Sequence, residues 1–154
     1  MDEIWLERGI HEQVEDEIEF FKASFVVIKK DIEDFVGNNL VVEGAAITPE
    51  FILANNININ NYICIVPTKE FQLEKYMKRD WVNGYLKPCS NPKLAFENWM
   101  KRDILFAQIV LEKAKENNMN FIVVDGSKSI KENYELIVDQ LEIKHNEYNK
   151  NHSG

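Results

Sequence analysis

Three short apolar runs, at residues 40–42, 62–66 and 121–124, set the strongest limit on what this chain can fold into. Each is only a few residues long and rich in β-branched side chains, and each is followed by a turn-forming or proline residue, the pattern of a strand. The segments between them carry apolar residues at helical spacing. Strands joined through helices must lie parallel, because a hairpin leaves no room for the crossover. The order helix, strand, helix, strand, helix, helix, strand, helix therefore predicts an α/β domain. Its short parallel sheet of about three strands would be flanked by helices in a three-layer arrangement.

The helices have readable limits. Ile10, Val14, Ile18, Phe21, Phe25, Ile28, Ile32 and Phe35 alternate steps of four and three, which traces one face of a long amphipathic helix. Gly37 is expected to close it as a left-handed C′ residue, with Asn38 and Asn39 carrying the chain out. Its acids gather early, at Glu12, Glu15, Asp16, Glu17 and Glu19, and Lys22, Lys29 and Lys30 follow, as the helix dipole favours. These charges read as a solvated face.

Pro49 begins a short helical turn over residues 49–53, and an asparagine-rich loop follows. Thr68 caps a basic helix expected over residues 69–82, and residues 83–92, with Gly84, Pro88 and Pro92, form a loop. Asn91 and Pro92 start a second long helix, with Phe96, Met100 or Trp99, Ile104, Ala107, Leu111 and Ala114 on its core face, stopping at Asn117 and Asn118. Ser127 or Ser129 caps the last helix, and a single domain over residues 1–146 leaves a polar, frayed tail over 147–154.

Length and composition narrow the class. A chain of 154 residues suits one domain burying roughly 70% of its unfolded surface. Hydrophobic residues at 45% and charged residues at 29% are ordinary for a globular protein. A net charge of -8 repels polyanions, so nucleic-acid binding is disfavoured. No apolar run nears the roughly 18 residues of a membrane span, and the first residues lack the basic start of a secretory signal, which places the chain in the cytoplasm. Cys64 and Cys89 lack zinc or redox spacing, and His11, His145 and His152 are scattered, so no metal site is expected. The sequon at Asn151 would go unused there.

Chemistry should gather beyond the strands' carboxyl ends, where open α/β sheets hold ligands. There the sequence places Glu43, then Pro67 and Thr68, then Asp125 and Gly126, and right-handed crossovers would put all three ends in one crevice.

Together, the Val-Val-Glu-Gly run ending at Gly44 with Pro49 five residues on, the basic segment from Ile65 to Trp81, and the Phe-Ile-Val-Val-Asp-Gly-Ser run from Phe121 resemble the later two thirds of a small P-loop kinase of the adenylate, shikimate and gluconate kinase type. The resemblance implies ATP and Mg²⁺ as cofactors and a small-molecule phosphate acceptor. Glu43 would be catalytic, facing the metal and acceptor. Lys75 and Arg79, beside Lys78, would match the lid over the phosphates, with Lys101 and Arg102 as a second phosphate contact. Asp125, Gly126 and Ser127 would wrap the adenine. Phosphoryl transfer needs such cations and a carboxylate, since it is mostly positioning and charge neutralisation.

The phosphate-binding loop of that family is missing. No G-x-x-x-x-G-K-[ST] occurs; the nearest approach, Gly126-Ser127-Lys128-Ser129, has Phe121 where the first glycine belongs. That loop follows a central strand in such kinases, so its loss leaves a gap between neighbours. Either the strands close up, or another segment fills the gap, or the chain is a fragment. Three readings follow: a kinase-like domain weak or inactive alone, a kinase completed by a complementing polypeptide or a second copy, and a non-catalytic interaction module using the long first helix. Exposure of that helix's apolar stripe, rather than its burial within the chain, would mark the last.

Overall fold

The computed structural model describes residues 1–37 and 40–141. The expected exit through Asn38 and Asn39, the tail, His145, His152 and the sequon at Asn151 lie outside the described residues. A π-helical turn at Glu3–Glu7 leads into α1, Ile10–Glu33. There follow α2 (Pro49–Ala54), a 3₁₀ turn (Ile59–Asn61), β1 (Ile63–Pro67), α3 (Lys69–Met77), α4 (Asp80–Leu86), α5 (Pro92–Glu116), β2 (Asn120–Val124) and α6 (Ile130–Gln140). The chain is α/β and mostly helical.

Local chemistry explains most of these limits. Thr48, Thr68 and Asn91 each accept a backbone N–H at the third helical residue, from Phe51, Phe71 and Leu94, and Pro49 and Pro92 open their helices. Ser129 and Glu132 form a reciprocal capping box at the start of α6. At the other ends, α2 and α5 close by the same device. Asn55 and Asn117 donate their amides back to the carbonyls of Phe51 and Lys113. Asn56 and Asn118 then turn left-handed at φ 52° and 53°. Ile57 and Met119 donate to the carbonyls of Ile52 and Ala114, which completes a Schellman closure at each end.

Three expectations are corrected. Residues 40–42 form no strand: Val41 is 92% exposed and the run pairs with nothing among the described residues. An extended segment needs a neighbour to satisfy its backbone, and local preference alone does not supply one. Among the described residues the sheet therefore has two strands, β1 and β2, parallel and in register from Ile63 opposite Asn120 to Pro67 opposite Val124. Gly37 is not the left-handed closure of α1, which ends earlier at Asp34 in a right-handed conformation. A side chain at 37 would instead collide with the Phe35 ring. The basic helix also breaks: Lys78 ends α3, and Arg79, extended, starts α4, which runs to Leu86 inside the expected loop. The break lets Val82 and Leu86 join a core that a straight helix would leave.

α5 organises that core along its length. Its first half contributes Ala95, Trp99 and Met100 to one cluster with Trp5, Val82, Leu86 and Cys89. Its second half, through Ala107, Val110, Leu111 and Ala114, meets Phe51, Ile52, Cys64, Val66 and Met119 in another. Full burial of side chains such as Phe51 and Met100 contributes about 1.5–3 kcal/mol each. α5 thus covers the sheet face of Cys64 and Val66. On the opposite face, Ile122 is buried but its register partner Ile65 is 51% exposed, so the second covering layer is incomplete over β1.

Candidate functional site

Beyond the carboxyl ends of β1 and β2 there is a cleft of about 180 Å³, open to solvent and lined by Pro67, Thr68, Lys69, Gln108, Ile104 and Val123 among others. It is mainly apolar. Its position is the one expected for a ligand crevice, but only two strand ends reach it. Thr68 is occupied as the α3 cap and donates its own N–H to Val124. Lys69 and Gln108 were not singled out by sequence; their meeting depends on α5 crossing the strand ends.

Glu43 is not at a strand end, because the strand before it is absent. It lies exposed on the connection between α1 and α2. Among the described residues it has no hydrogen bond or ion pair.

The cations assigned to phosphate are engaged locally or dispersed. Lys75 lies 4.9 Å over the Phe71 ring and 3.6 Å from Glu74, whose carboxyl Lys78 also holds. Hydrogen bonding and attraction from these lysines keep the Glu74 carboxyl below its ordinary range. Arg79 stacks on Tyr76 at 4.3 Å and on Trp81 at 5.9 Å. Lys101 is exposed and makes no ion pair among the described residues. A cation committed to a carboxylate or a ring must break that contact to reach a phosphate.

Arg102 is the most enclosed of the set. Its Nε lies 2.8 Å from Asp103 Oδ1 and 3.3 Å from Glu17 Oε2, and its guanidinium sits 5.0 Å from the Trp5 ring. Burial pushes both carboxyls above their ordinary values, and the Arg102 charge pulls them back. Beside them, Trp5 Nε1, Gln13 Oε1 and Glu17 Oε2 are buried without a hydrogen-bond partner. Glu17 is thereby corrected from a solvated charge to a half-buried one. One arginine between two carboxylates ties α1 to α5, with its Nε and Nη2 already engaged.

Asp125, Gly126 and Ser127 form a self-contained turn. Ser127 donates both its N–H and its hydroxyl to Asp125 Oδ1, at 2.9 and 2.6 Å, and these bonds hold the Asp125 carboxyl below its ordinary range. Gly126 has φ 86°, and a Cβ there would come within 2.8 Å of the Phe71 ring. Backbone strain and crowding both demand glycine at this position. The geometry is that of a turn leading to α6.

The structure therefore brings together Arg102, Glu17 and Asp103, and separately Lys75 with Phe71 and Gly126, but it shows no contact between Glu43 and the other candidates. No group of three or more histidine, cysteine or acidic side chains suited to a metal occurs among the described residues. None of their helices is long and apolar enough to cross a membrane.

The surface of α1 differs from its inner face. The expected stripe faces inward from Ile10 to Ile32, with Val14 buried and Phe25, Ile28 and Ile32 packed on the second cluster, but Phe35 lies beyond the end of α1 and is 46% exposed. On the outside, Phe20 is 68%, Val26 77% and Val27 63% exposed, with Ala23 exposed between them. Helical spacing puts Phe20, Ala23 and Val27 on one face. Comparison with known proteins finds no family, no curated protein and no solved structure that matches the chain.

Proposed function

We propose that this chain is a non-catalytic protein-interaction module of the cytoplasm that presents the outer face of α1 to a partner. The observation that carries the reading is the exposed group Phe20, Ala23, Val26 and Val27 on a helix whose other apolar face is already used internally. Single exposed apolar side chains are normal, but a contiguous group on a rigid helix is a surface that association can bury. Placing a photo-cross-linking residue at position 27, in the chain expressed in its own cells, should give a discrete adduct. The same residue at Lys131, exposed on α6, should not. Equal background labelling at both positions would contradict the reading.

A nucleotide-binding, phosphotransferase-related role, with ATP and Mg²⁺ acting on a small-molecule acceptor, is the second reading. The cleft beyond the two strand ends favours it. Glu43, Lys75, Arg79, Lys101, Arg102 and the turn at Asp125, Gly126 and Ser127 would have to converge there, aided by a segment or second copy that completes the sheet. A rise of several degrees in Tm with ATP and Mg²⁺, together with phosphoryl transfer, is the result this role requires.

A further inference from the structure

The outer face of α1 has two parts. Residues 20–27 present the apolar group; Glu12 and Glu15 are exposed one to two turns earlier and Glu19 beside Phe20, in line with Val26 on one flank of the group. Those three acids make no ion pair among the described residues, whereas Asp16 is held by Arg8. The helix's cations are already committed: Lys22 to Glu50, Lys29 to Glu33 and Lys30 to Asp34. The face is thus apolar at its centre and flanked by uncompensated negative charge, mostly toward its N-terminal end, with Asp31 exposed one turn beyond Val27.

Resting on the reading of α1 as a partner surface, we infer that its occupant is a basic amphipathic helix of another polypeptide. Its apolar face would cover Phe20, Ala23 and Val27, and its Lys or Arg residues would lie against Glu12, Glu15 and Glu19. Helix-on-helix docking is read through anchors at such three- and four-residue spacings, and complementary charge sets orientation and encounter rate. A second copy fits poorly. Packed parallel, it would place acid on acid. Packed antiparallel, it would offer lysines already paired within their own helix, on a chain of net charge -8.

The test uses a synthetic helical peptide with leucine at the i, i+3, i+4 and i+7 positions and lysine elsewhere, and its twin with glutamate for lysine, titrated against the full chain by calorimetry. The lysine peptide should bind at least about tenfold more tightly than its twin and lose affinity with added salt. The pair Phe20→Ser and Val27→Ser, which changes no charge and touches exposed positions, should weaken it about tenfold with Tm unchanged. The triple change Glu12→Gln, Glu15→Gln and Glu19→Gln should remove most of the salt dependence. If both peptides bind equally and the serine pair abolishes both, α1 is still a partner surface but the basic partner is wrong. If neither binds and the chain is a dimer that the serine pair dissociates, the occupant is a second copy and the inference is overturned. If the lysine peptide binds regardless of either set of changes, or nothing binds and the chain is monomeric, both the inference and the reading beneath it fail.

Discussion

Replacing Trp99 with alanine is expected to cost about 3–5 kcal/mol, a large part of the roughly 5–15 kcal/mol that holds a typical domain together. Trp99 is 7% exposed. Its ring lies 5.4 Å from Trp5, 5.5 Å from Tyr76 and Tyr85, and 5.8 Å from Trp81, so four rings on three elements lose a shared neighbour at once. It also hydrogen-bonds the Asp103 carboxyl. The cavity left behind is too large for these rings to fill by small shifts, since packed interiors relax only partly. Urea unfolding followed by circular dichroism should show the midpoint falling sharply. A loss below about 1 kcal/mol would mean that the aromatic cluster is looser than its geometry implies.

Replacing Arg102 with methionine should cost about 3 kcal/mol at neutral pH and much less in acid, below the ordinary carboxylate values. Methionine keeps most of the side-chain volume but strands Glu17 and Asp103 as facing buried carboxylates, and breaking one partner of an enclosed pair is the costly case. The magnitude is set toward the low end because 18% of Arg102 and 22% of Glu17 still meet solvent. The sign follows from linkage. Burial already raises both carboxyls above their unfolded values, so the folded state binds more protons and stability falls as pH rises through the interval between unfolded and folded values. Removing the guanidinium removes the influence that lowers them, which widens the interval and steepens the fall. Below it, both acids are neutral and need no cation. The difference between native and variant unfolding free energies, measured at neutral pH and again below the ordinary carboxylate values, isolates this effect, because carboxyls elsewhere contribute equally to both. A difference independent of pH would show that the arginine acts only by packing.

What could be read from sequence divides along local and non-local lines. Thr68, Asn91, Pro92 and Ser129 announced their helix starts because a cap is decided within three residues, and Asn117 with Asn118 announced an end for the same reason. The core of α5 was visible in its spacing. Residues 40–42 misled because a strand is completed by its neighbour, and a run of three apolar residues carries no information about whether one arrives. The break at Arg79 was hidden for a related reason: only the pull of Val82 and Leu86 toward Trp99 favours it. Glu17 read as solvent-facing because nothing near it in sequence predicts that α5 delivers Arg102 to the same place.

The candidate site was legible as residue types and not as a constellation. Glu43 depended on a strand that does not form. Arg79 and Arg102 have stacking and ion-pair partners of their own. The outer face of α1 was obscured by the stronger periodicity beneath it: seven apolar residues from Ile10 to Ile32 trace the inner stripe, and Phe20, Val26 and Val27 look like scatter until the stripe is seen to be in use. The exposed acids make sense on the same terms, since the lysines that could neutralise them are paired elsewhere.

Backbone amide shifts of the full chain, recorded by NMR as the lysine-rich peptide and then ATP with Mg²⁺ are added, test the central claim most directly. The account predicts that the peptide perturbs α1 from Glu12 through Val27 and that ATP leaves the spectrum unchanged. It would be contradicted if the peptide spared α1, or if ATP shifted Thr68, Lys69 and Gln108 around the strand-end cleft.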